Sequence, residues 1–393
     1  MSKIYDVILI GGGASNLIAA TYLGDKLPKD SFCVLEKCPR VGKKLIATGN
    51  GQGNLTNKNL SGEHYFSSEK DFYLPVIKAF DNTVIEKYLN SLGIYLTGEN
   101  KRYPVSYEAT SVLDLIREKL FNDGVQIFTD TEVTKITYLD KLFILQAGDK
   151  KYLAKNIVLG CGGSAGKQFG TDGSAYSLIT PFGHKVTKLY PSLVQLKTDT
   201  TFTKGLKGIK VDALVKAFSS NGKLLKSERG DLLFTDYGVS GSAVFQVSGH
   251  ALKEENSYLE IEFLPDLSIN AIKGMLAKKE SNAPYLNEEN LYNGLINKQL
   301  AKALIKYGKG DTLSAIKKFR LNVTGSLGFN YAQVTKGGID VKDIDSNTLE
   351  SKLIKGLFVV GEMLDVDGDC GGYNLHWAFA SGLTVAKELE NRV

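Results

Sequence analysis

Cysteine and histidine are scarce in this chain of 393 residues, which has four of each, and their spacing excludes several kinds of site. No C-x-x-C pair occurs, so neither a dithiol reductase centre nor a zinc ribbon is expected. The five residues of extended chain from Cys33 to Cys38 would span roughly 16 Å, which is beyond disulfide reach. We interpret Cys33 as a small core residue. The histidines show no metal-ligand spacing, so we expect no metal site.

Long apolar runs and basic blocks are also missing. No run approaches the roughly 18 apolar residues needed to cross a bilayer, and the N-terminal MSKIYDVILIGGG lacks a signal-peptide cleavage region. We therefore expect a cytoplasmic protein that does not bind membranes. The 48 basic and 43 acidic side chains give a net charge of +5, and no basic block exceeds GKK or DKK. Nucleic-acid binding is therefore not expected.

The segment LIGGGASNLIAA, residues 9–20, has the pattern of a dinucleotide-binding turn. The preceding YDVILI predicts a buried parallel strand, and the following residues have helical spacing. Gly11 would permit the tight bend, and Gly13 would let backbone N–H groups approach a pyrophosphate at the helix N-terminus. Asn16 replaces the third glycine, where we expect it to loosen the helix–strand packing without removing the anion site.

A second strand, SFCVLEK, follows this helix and ends in Glu36, at roughly the distance where an acid binds the ribose hydroxyls. An acid there favours an unphosphorylated ribose. The strand, glycine turn, helix, strand and acid together predict a bound dinucleotide. The alternative is a plain βαβ unit whose glycines serve only the turn.

The order of the following elements indicates which dinucleotide is bound. A polar segment at residues 37–57 precedes the helical patterns TVIEKYLNSLG and SVLDLIREKLFNDG. Strand-like runs follow in VQIF, TEVTKITYL, KLFILQA and KNIVLG. A β-meander inserted between parallel strands is the layout of FAD domains in the glutathione-reductase-like superfamily, and NAD-only dehydrogenases lack it. The fold class is therefore α/β, with a Rossmann-like FAD-binding domain.

A possible second nucleotide turn occurs in IVLGCGGSAG, residues 157–166. A strand runs into glycines there, but no strand with a terminal acid follows at the expected distance. A dedicated NAD(P)H domain is therefore disfavoured. NAD(P)H remains possible as an electron donor that docks transiently.

Four segments resemble one family of three-domain bacterial flavoproteins, the aminoacetone-oxidase-like or BaiN-like NAD(P)/FAD-dependent oxidoreductases. They are GKKLIATGNGQGNLTN, GDLLFTDYGVSGSAVFQ, AQVTKGGID and GLFVVGEMLDVDGDCGGYNLHWAFASG. The resemblance implies a discontinuous FAD domain at residues 1–191 and 332–393. It also implies an inserted β-barrel-like domain at 192–266 and 319–331, and a small helical domain at 267–318. In agreement, residues 193–265 read as strands and turns, and three amphipathic helical patterns follow.

The chain departs from the family pattern at several positions. Relatives usually show GGGRCNLTN, whereas Gln52 and Gly53 stand here in place of the arginine and cysteine, and Asn16 replaces a glycine. LGCGG stands where LATGG is common. We expect FAD binding to persist because backbone donors remain. The missing arginine removes a natural anchor for an acidic substrate.

The glycines of CGGYNLHWAFASG precede an apolar helix, whose free N–H groups would stabilise negative charge on the N1/O2 side of the flavin. Lys44 and the amides of residues 48–54 would cover the other side. No His or Cys lies in a flavinylation motif, so FAD should be held non-covalently. The motifs and the resemblance together predict these cofactor-binding residues: Gly11, Gly13, Ala14, Ser15, Glu36, Lys37, Lys44, Thr48, Asn50, Gly51, Asn54, Leu55, Val133, Gly160, Gly162, Gly361, Glu362, Gly372, Tyr373, Asn374 and Leu375.

The catalytic prediction is limited to His376, which lies in the flavin-binding segment and could equally be a packed histidine. The helix end beside the flavin, together with the lack of a redox-active cysteine pair and of a convincing NAD(P)H fold, favours an FAD-dependent oxidase of a small amine or α-amino ketone that passes electrons to oxygen. An NAD(P)H-dependent reductase of a conjugated enone is the first alternative. The second is a non-redox flavoprotein acting on a larger partner. We expect a small-molecule substrate, and the oligomeric state is left open.

Overall fold

The computed structural model describes residues 3–393, which form two compact units. The first unit contains the residues up to Leu189 together with Val334–Val393, and the inserted unit is Tyr190–Gln333. Each unit has its own cluster of buried apolar side chains. Both ends of the chain thus contribute to one hydrophobic core, and the inserted unit buries another.

The first unit contains fifteen strands and helices before the insertion and four after it. Before the insertion they are β1 Ile4–Ile10, α1 Ala14–Lys26, β2 Phe32–Leu35, α2 Lys43–Ala47, β3 Thr56–Asn57, β4 Tyr65–Phe66, α3 Leu74–Ala79, α4 Asn82–Ser91, β5 Leu96–Thr97, β6 Lys101–Pro104, α5 Ala109–Asn122, β7 Gln126–Phe128, β8 Lys135–Leu139, β9 Leu142–Ala147 and β10 Lys150–Leu159. In the inserted unit lie β11 Tyr190–Ser192, β12 Leu196–Thr198, β13 Lys210–Phe218, β14 Leu224–Phe234, β15 Gly238–Ser240, α6 Ser242–Lys253, β16 Tyr258–Phe263, α7 Ile269–Asn282, α8 Glu288–Leu291, α9 Lys298–Gly308, α10 Thr312–Lys317 and β17 Phe319–Ser326. The first unit then resumes with β18 Val334–Lys336, β19 Leu357–Val359, β20 Asp367–Gly368 and α11 Tyr373–Glu390.

The main sheet of the first unit has the order β7-β2-β1-β10-β9-β8, and β19 also pairs with β10. Parallel pairing joins five of these strands in the order β7, β2, β1, β10 and β19. Antiparallel pairing joins β10, β9 and β8 into a meander. The central strand β1 is fully buried from Val7 to Leu9, as its continuous apolar sequence predicts. This sheet is the parallel core with an inserted meander that the sequence indicated.

The parallel strands end together at one edge of this sheet. Ile10 pairs with Leu35 on one side and with Leu159 on the other, and Leu159 pairs with Val359. The residues that follow these strands therefore emerge at the same carboxyl edge, where open α/β sheets bind ligands. The glycine turn after β1, Glu36 after β2 and the glycines after β10 all lie there.

The C-terminal helix α11 packs closely against α1. Gly382 sits on the backbone of Ser15, and a Cβ atom at residue 382 would overlap the Ser15 carbonyl oxygen. The absence of a side chain at Gly382 therefore permits the approach of the two helices. Trp377 Nε1 also donates to the Gly361 carbonyl at 3.1 Å, which ties α11 to the turn after β19.

The inserted unit is built around a closed barrel with the order β12-β15-β14-β13-β16-β17. Side chains of α7, α9 and α10, including Ile272, Leu304 and Ile316, belong to the same buried cluster as the barrel residues Val215 and Phe319. The helices thus complete the core of this unit. The division of the chain into three domains with the boundaries given above stays a prediction.

One expectation for the inserted unit was wrong. Residues 193–265 read as strands and turns, but α6 occupies Ser242–Lys253 within them. Its sequence is rich in Val, Ser and Gly, which disguises the helix, whereas Ala243, Val247 and Ala251 are fully buried at spacings of four residues. That spacing is the helical signal that composition masked.

Within residues 3–393, no helix is both long enough and apolar enough to cross a bilayer.

Candidate cofactor site

The N-terminus of α1 is arranged to receive an anion. The helix begins at Ala14 after Gly13, no side chain caps it, and its first turn contains no acidic residue. Gly11 has a φ of +96°, and a Cβ atom there would lie 2.7 Å from the Gly160 carbonyl oxygen. The glycines therefore let the two turns approach each other, and the uncapped helix end offers N–H groups and a partial positive charge to a phosphate.

Asn16 does not loosen this turn, so that expectation was wrong. Its side chain is fully buried, and Nδ2 donates to the carbonyl oxygens of Ile10 and Gly11, both at 2.9 Å. Gly160 provides the space, because a Cβ atom there would lie 2.6 Å from Asn16 Nδ2. The amide therefore ties α1 to the end of β1.

Glu36 is held at the sheet edge by backbone donors. Its Oε2 atom accepts from Gly12 N at 2.6 Å, and Oε1 accepts from Cys38 N at 2.7 Å. The carboxylate is thereby fixed beside the glycine turn, and its contact with a ribose stays a prediction. The neighbouring Lys37 forms an ion pair of 3.2 Å with Asp172. Burial acts to raise the pKa of Asp172, but hydrogen bonds from Ser174 and Lys37 outweigh it and lower that pKa to about 2.

A second polar group surrounds Glu362, just after β19. Lys44 Nζ lies 2.6 Å from Glu362 Oε2 and donates to the Ala165 carbonyl at 2.9 Å. The other carboxylate oxygen of Glu362 accepts from Thr335 N at 2.8 Å. Two predicted cofactor residues from distant parts of the chain are therefore in direct contact.

Among residues 3–393, the Tyr176 hydroxyl beside this group has no hydrogen-bond partner. Its side chain is only 7% exposed, and the hydroxyl oxygen is completely buried. Burial and the nearby carboxylates of Glu362 and Asp365 raise the pKa of Tyr176 well above its usual value. An unsatisfied buried hydroxyl is costly, so a ligand hydroxyl at this position would be stabilising.

The N-terminus of α11 forms the third part of the site. Gly372 has a φ of +97°, and its missing side chain allows close packing on the Thr56 carbonyl and the Asn54 amide. No side chain caps α11 and its first turn contains no acid. Asn374 closes the preceding turn, because its amide accepts from Gly368 N and donates to Gly368 O, both at 2.8 Å.

Helix α11 links this third part to the anion site at α1. Ten residues separate Gly372 from Gly382, which corresponds to about 15 Å along an α-helix. Gly382 packs against Ser15 in the first turn of α1. Two uncapped helix ends therefore lie at the two ends of this span, which suits an extended ligand with a pyrophosphate and a distant ring.

The other predicted residues occupy loops around these three parts. Thr48, Asn50 and Gly51 lie in the turn between α2 and Asn54, in which Asn50 has a φ of +55°. Gly53, which departs from the family pattern, has a φ of +72° and so occupies a conformation that side-chain-bearing residues rarely adopt. Of the remaining positions, Leu55 and Val133 are buried. Gly162 follows β10, and Leu375 lies in the first turn of α11.

The structure favours the packed alternative for His376. The side chain is fully buried, and Nδ1 lies 2.8 Å from Thr56 Oγ1. Burial lowers the pKa of His376 to about 4. The imidazole is enclosed between α11 and β3, but among the described residues its Nε2 atom has no hydrogen-bond partner, so His376 is packed without being fully satisfied. Its catalytic role stays a prediction.

Sequence reasoning missed a cluster of charged residues beside α11. Asp365, Asp367 and Asp369 are all buried, and Lys336 Nζ contacts both carboxylate oxygens of Asp367, at 3.0 and 3.1 Å. Burial raises the pKa of Asp367 to about 6, against the opposing effect of Lys336. His64 lies 3.0 Å from Asp369. The alternating acids in DVDGD were the available signal, but their partners are far away in sequence.

Comparison with known proteins identifies relatives along nearly the whole chain. Residues 5–388 match the family described as HI0933-like protein Rossmann domain. A 3-dehydro-bile acid delta(4,6)-reductase of Clostridium scindens is 32% identical over 404 residues, covering 98% of each chain. A ribosomal RNA dihydrouridine synthase of Haemophilus influenzae is 28% identical over 413 residues, covering 100% of each.

Solved structures show the same fold at low identity. The 3-ketosteroid-delta4-(5alpha)-dehydrogenase of Rhodococcus jostii matches with a TM-score of 0.52 and 14% identity, covering 98% of this chain and 97% of that one. The 3-ketosteroid delta1-dehydrogenase of Sterolibacterium denitrificans matches with a TM-score of 0.52 and 11% identity, covering 100% of each. The predicted fold class is confirmed.

The residues present fit FAD. The glycine turn with its uncapped helix suits the pyrophosphate, the orphaned Tyr176 hydroxyl suits a ribityl hydroxyl, and the end of α11 suits the electron-rich edge of the flavin ring. The predictions of family, cofactor and enzyme class are confirmed, whereas the individual contacts stay predictions. The chain belongs to the HI0933-like Rossmann family and is an FAD-dependent oxidoreductase.

Proposed function

We propose that this enzyme reduces a carbon–carbon double bond conjugated to a carbonyl group in a small molecule, with NAD(P)H as a transiently docking electron donor. The observation that carries the proposal is the full-length similarity to two proteins named for such reductions. In a 3-dehydro-Δ4,6 bile acid the double bonds are conjugated to the C3 carbonyl. In uridine, the bond that becomes saturated in dihydrouridine is conjugated to the C4 carbonyl.

The two named reactions share one chemical requirement. A hydride must reach the carbon β to the carbonyl, and a proton must reach the α carbon. FAD supplies the hydride chemistry when it is bound. The protein has to bind the cofactor, hold the conjugated substrate against it and provide the proton.

The end of α11 supports the hydride step. An uncapped helix N-terminus carries about half a positive charge, which stabilises negative charge on the nearby edge of a reduced flavin. Lys44 adds little to this effect because Glu362 neutralises it at 2.6 Å. The helix end is therefore the main electrostatic feature that we assign to the flavin ring.

The oxidase of a small amine or α-amino ketone, which the sequence favoured because it shows no NAD(P)H fold, remains the competing prediction. The same helix end would stabilise a reduced flavin that reacts with oxygen. The reductase is preferred because the 32% identical relative is named as a reductase and covers 98% of this chain. Oxygen as the electron acceptor stays a prediction.

Two half-reactions discriminate between these functions. Oxidised holoenzyme is mixed anaerobically with NADH or NADPH, and bleaching of the flavin is followed. Reduced enzyme is then mixed with 2-methyl-2-cyclohexen-1-one, with 4-androstene-3,17-dione or with aerated buffer. We expect fast bleaching by one nucleotide and faster reoxidation by an enone than by oxygen. The oxidase would be established instead by three results together: slow flavin bleaching by both nucleotides, fast oxygen consumption by the reduced enzyme, and flavin bleaching by aminoacetone.

A larger substrate is the second candidate, because two relatives are named ribosomal RNA dihydrouridine synthase, at 28% and 24% identity. The net charge of +5 and the absence of long basic blocks argue against tight RNA binding. Reduced enzyme incubated with ribosomal RNA should therefore form no dihydrouridine. Formation of dihydrouridine at one position would favour the RNA substrate.

A further inference from the structure

A histidine–aspartate pair beside the start of α11 is absent from the cofactor contacts described above. His64 Nδ1 lies 3.0 Å from Asp369 Oδ2. The Asp369 side chain is 5% exposed, whereas that of His64 is 26% exposed. A buried carboxylate thus holds an imidazole that still reaches the surface of the first unit.

The fold fixes this pair through backbone pairing. Strands β4 and β20 are antiparallel, with Phe66 opposite Asp367 and Tyr65 opposite Gly368. The next position along this register brings Asp369 opposite His64, and Asp369 N donates to the His64 carbonyl at 2.9 Å. The imidazole also stacks on the Tyr373 ring, with centroids 4.4 Å apart and an angle of 21° between the planes. His64 is therefore held against the first residue of α11.

The contact with Asp369 sets the roles of the two ring nitrogens. Nδ1 donates to the carboxylate, so Nε2 is the atom that carries or releases the exchangeable proton. In the described part of the chain, the contact recorded for Nε2 is a long one of 3.4 Å with the amide nitrogen of the exposed Asn59, which would donate to the neutral ring. An oriented imidazole with one nitrogen directed away from its carboxylate is the arrangement required of a general acid.

Other ionisable groups near α11 are less suited to this role. His376 is fully buried, and Lys336 binds both oxygens of Asp367. Asp365 accepts from Ser68 N at 3.2 Å. Tyr65 donates to the Tyr373 carbonyl at 3.1 Å, and burial raises its pKa strongly.

We propose that His64 donates the proton to the substrate α carbon, with Asp369 as its positioning residue. This inference rests on the proposed reductase function. With FAD bound and reduced by NAD(P)H, the cofactor would supply the hydride for the β carbon. In the same step the Nε2–H bond of His64 would break as the α C–H bond forms, so that no free enolate accumulates, and the neutral imidazole would regain a proton from solvent.

The charges that face His64 come from two strands and one turn. Asp369 contacts it directly, and Asp365 and Asp367 lie on the same segment, where Lys336 on β18 offsets the charge of Asp367. Cys370 follows Asp369 in the chain and is a rival donor.

The test is a single-turnover reaction of anaerobically reduced holoenzyme with 2-methyl-2-cyclohexen-1-one across a range of pH. We expect the reoxidation rate of the wild type to fall with one proton on the alkaline side. His64→Gln should lower the rate about 100-fold or more and remove that dependence, in line with the usual contribution of a general acid. Asp369→Asn should retain the dependence and lower the rate by a smaller factor, because it weakens only the contact that orients the ring. Product stereochemistry at C2 provides a second readout, and the enantiomeric excess should decrease in His64→Gln.

His250→Gln, in α6 of the inserted unit, is the matched control and should behave as the wild type. Flavin content and far-UV spectra confirm that each variant is folded. An unchanged pH profile and enantiomeric excess in His64→Gln would overturn the assignment, as would loss of the alkaline dependence in Cys370→Ser instead. Failure of wild-type reduced enzyme to react with any enone would refute the proposed function itself, which is a distinct result.

Discussion

Replacement of Tyr176 by phenylalanine tests the assignment of the cofactor site through two quantities. The stability of the apoprotein should rise, and the affinity for FAD should fall. In the apoprotein the hydroxyl is buried without a partner. Leaving such a group unsatisfied costs about 1 to 3 kcal/mol, so its removal should raise the free energy of unfolding by about 1 kcal/mol. In the holoprotein the hydroxyl would bind FAD, and its removal should weaken binding.

The expected loss of affinity follows from the same hydrogen bond. The apoprotein is stabilised by about 1 kcal/mol and the holoprotein loses a bond worth about 1 kcal/mol, so the two effects add to about 2 kcal/mol and the FAD dissociation constant should rise roughly 30-fold. Flavin fluorescence titration gives the dissociation constant, and urea denaturation of the apoprotein gives the stability. These two quantities do not depend on knowing the substrate.

A matched control is Tyr73→Phe. Tyr73 is similarly buried, but its hydroxyl donates to the Gly62 carbonyl at 2.9 Å. Its removal should destabilise the apoprotein by about 1 kcal/mol and leave FAD affinity unchanged. If Tyr176→Phe destabilises the apoprotein as the control does, the hydroxyl already has a partner such as bound water. The Tyr176 hydroxyl would then not be assigned to the ribityl chain of FAD.

Three further predictions concern Glu36, Asn16 and His376. Glu36→Ala should weaken FAD binding by about 1 to 3 kcal/mol and Glu36→Gln by less, and an unchanged dissociation constant in both would refute the ribose contact. Asn16→Ala removes the side-chain donor of the Gly11 carbonyl, whereas the Ile10 carbonyl still accepts from Gly160 N at 2.9 Å, and should lower the free energy of unfolding by about 1 kcal/mol in urea melts; an unchanged midpoint would show that the amide is dispensable. Burial lowers the pKa of His376 from 6.5 to about 4, so the unfolded chain takes up a proton at a higher pH than the folded protein does. The free energy of unfolding should therefore be highest above pH 6.5 and fall by about 3 kcal/mol as the pH falls to 4. The apoprotein of His376→Asn should therefore lose less stability than the wild type over that interval, and parallel curves would contradict the assignment.

The parts of the fold that the sequence predicts are those with local patterns. The apolar run of β1, the glycine turn and the helical spacing of α1 lie within 26 residues, and Glu36 follows directly after β2. The same holds for the meander of β8, β9 and β10, whose strands are joined by short turns. Each element is encoded by its own periodicity, so no long-range contact has to be known.

One error arises because the partner lies far away in sequence. Asn16 reads as a damaged fingerprint because Gly160, which makes room for it, is 144 positions later in the chain. The helix α6 was missed for another reason: the four-residue spacing of Ala243, Val247 and Ala251 is a local helical signal, which the composition of the segment masked.

The histidine–aspartate pair shows the same limitation at the proposed proton donor. His64 and Asp369 are 305 residues apart, and only the short β4–β20 pairing brings them together. Sequence reasoning selected His376 because it lies within the flavin motif, whereas the structure encloses that side chain and leaves His64 partly exposed. The cofactor contacts that we predict are mainly with backbone groups at helix ends, which local motifs reveal. A proton donor depends on one side chain with a free path to the substrate, and that property is decided by burial and by long-range pairing.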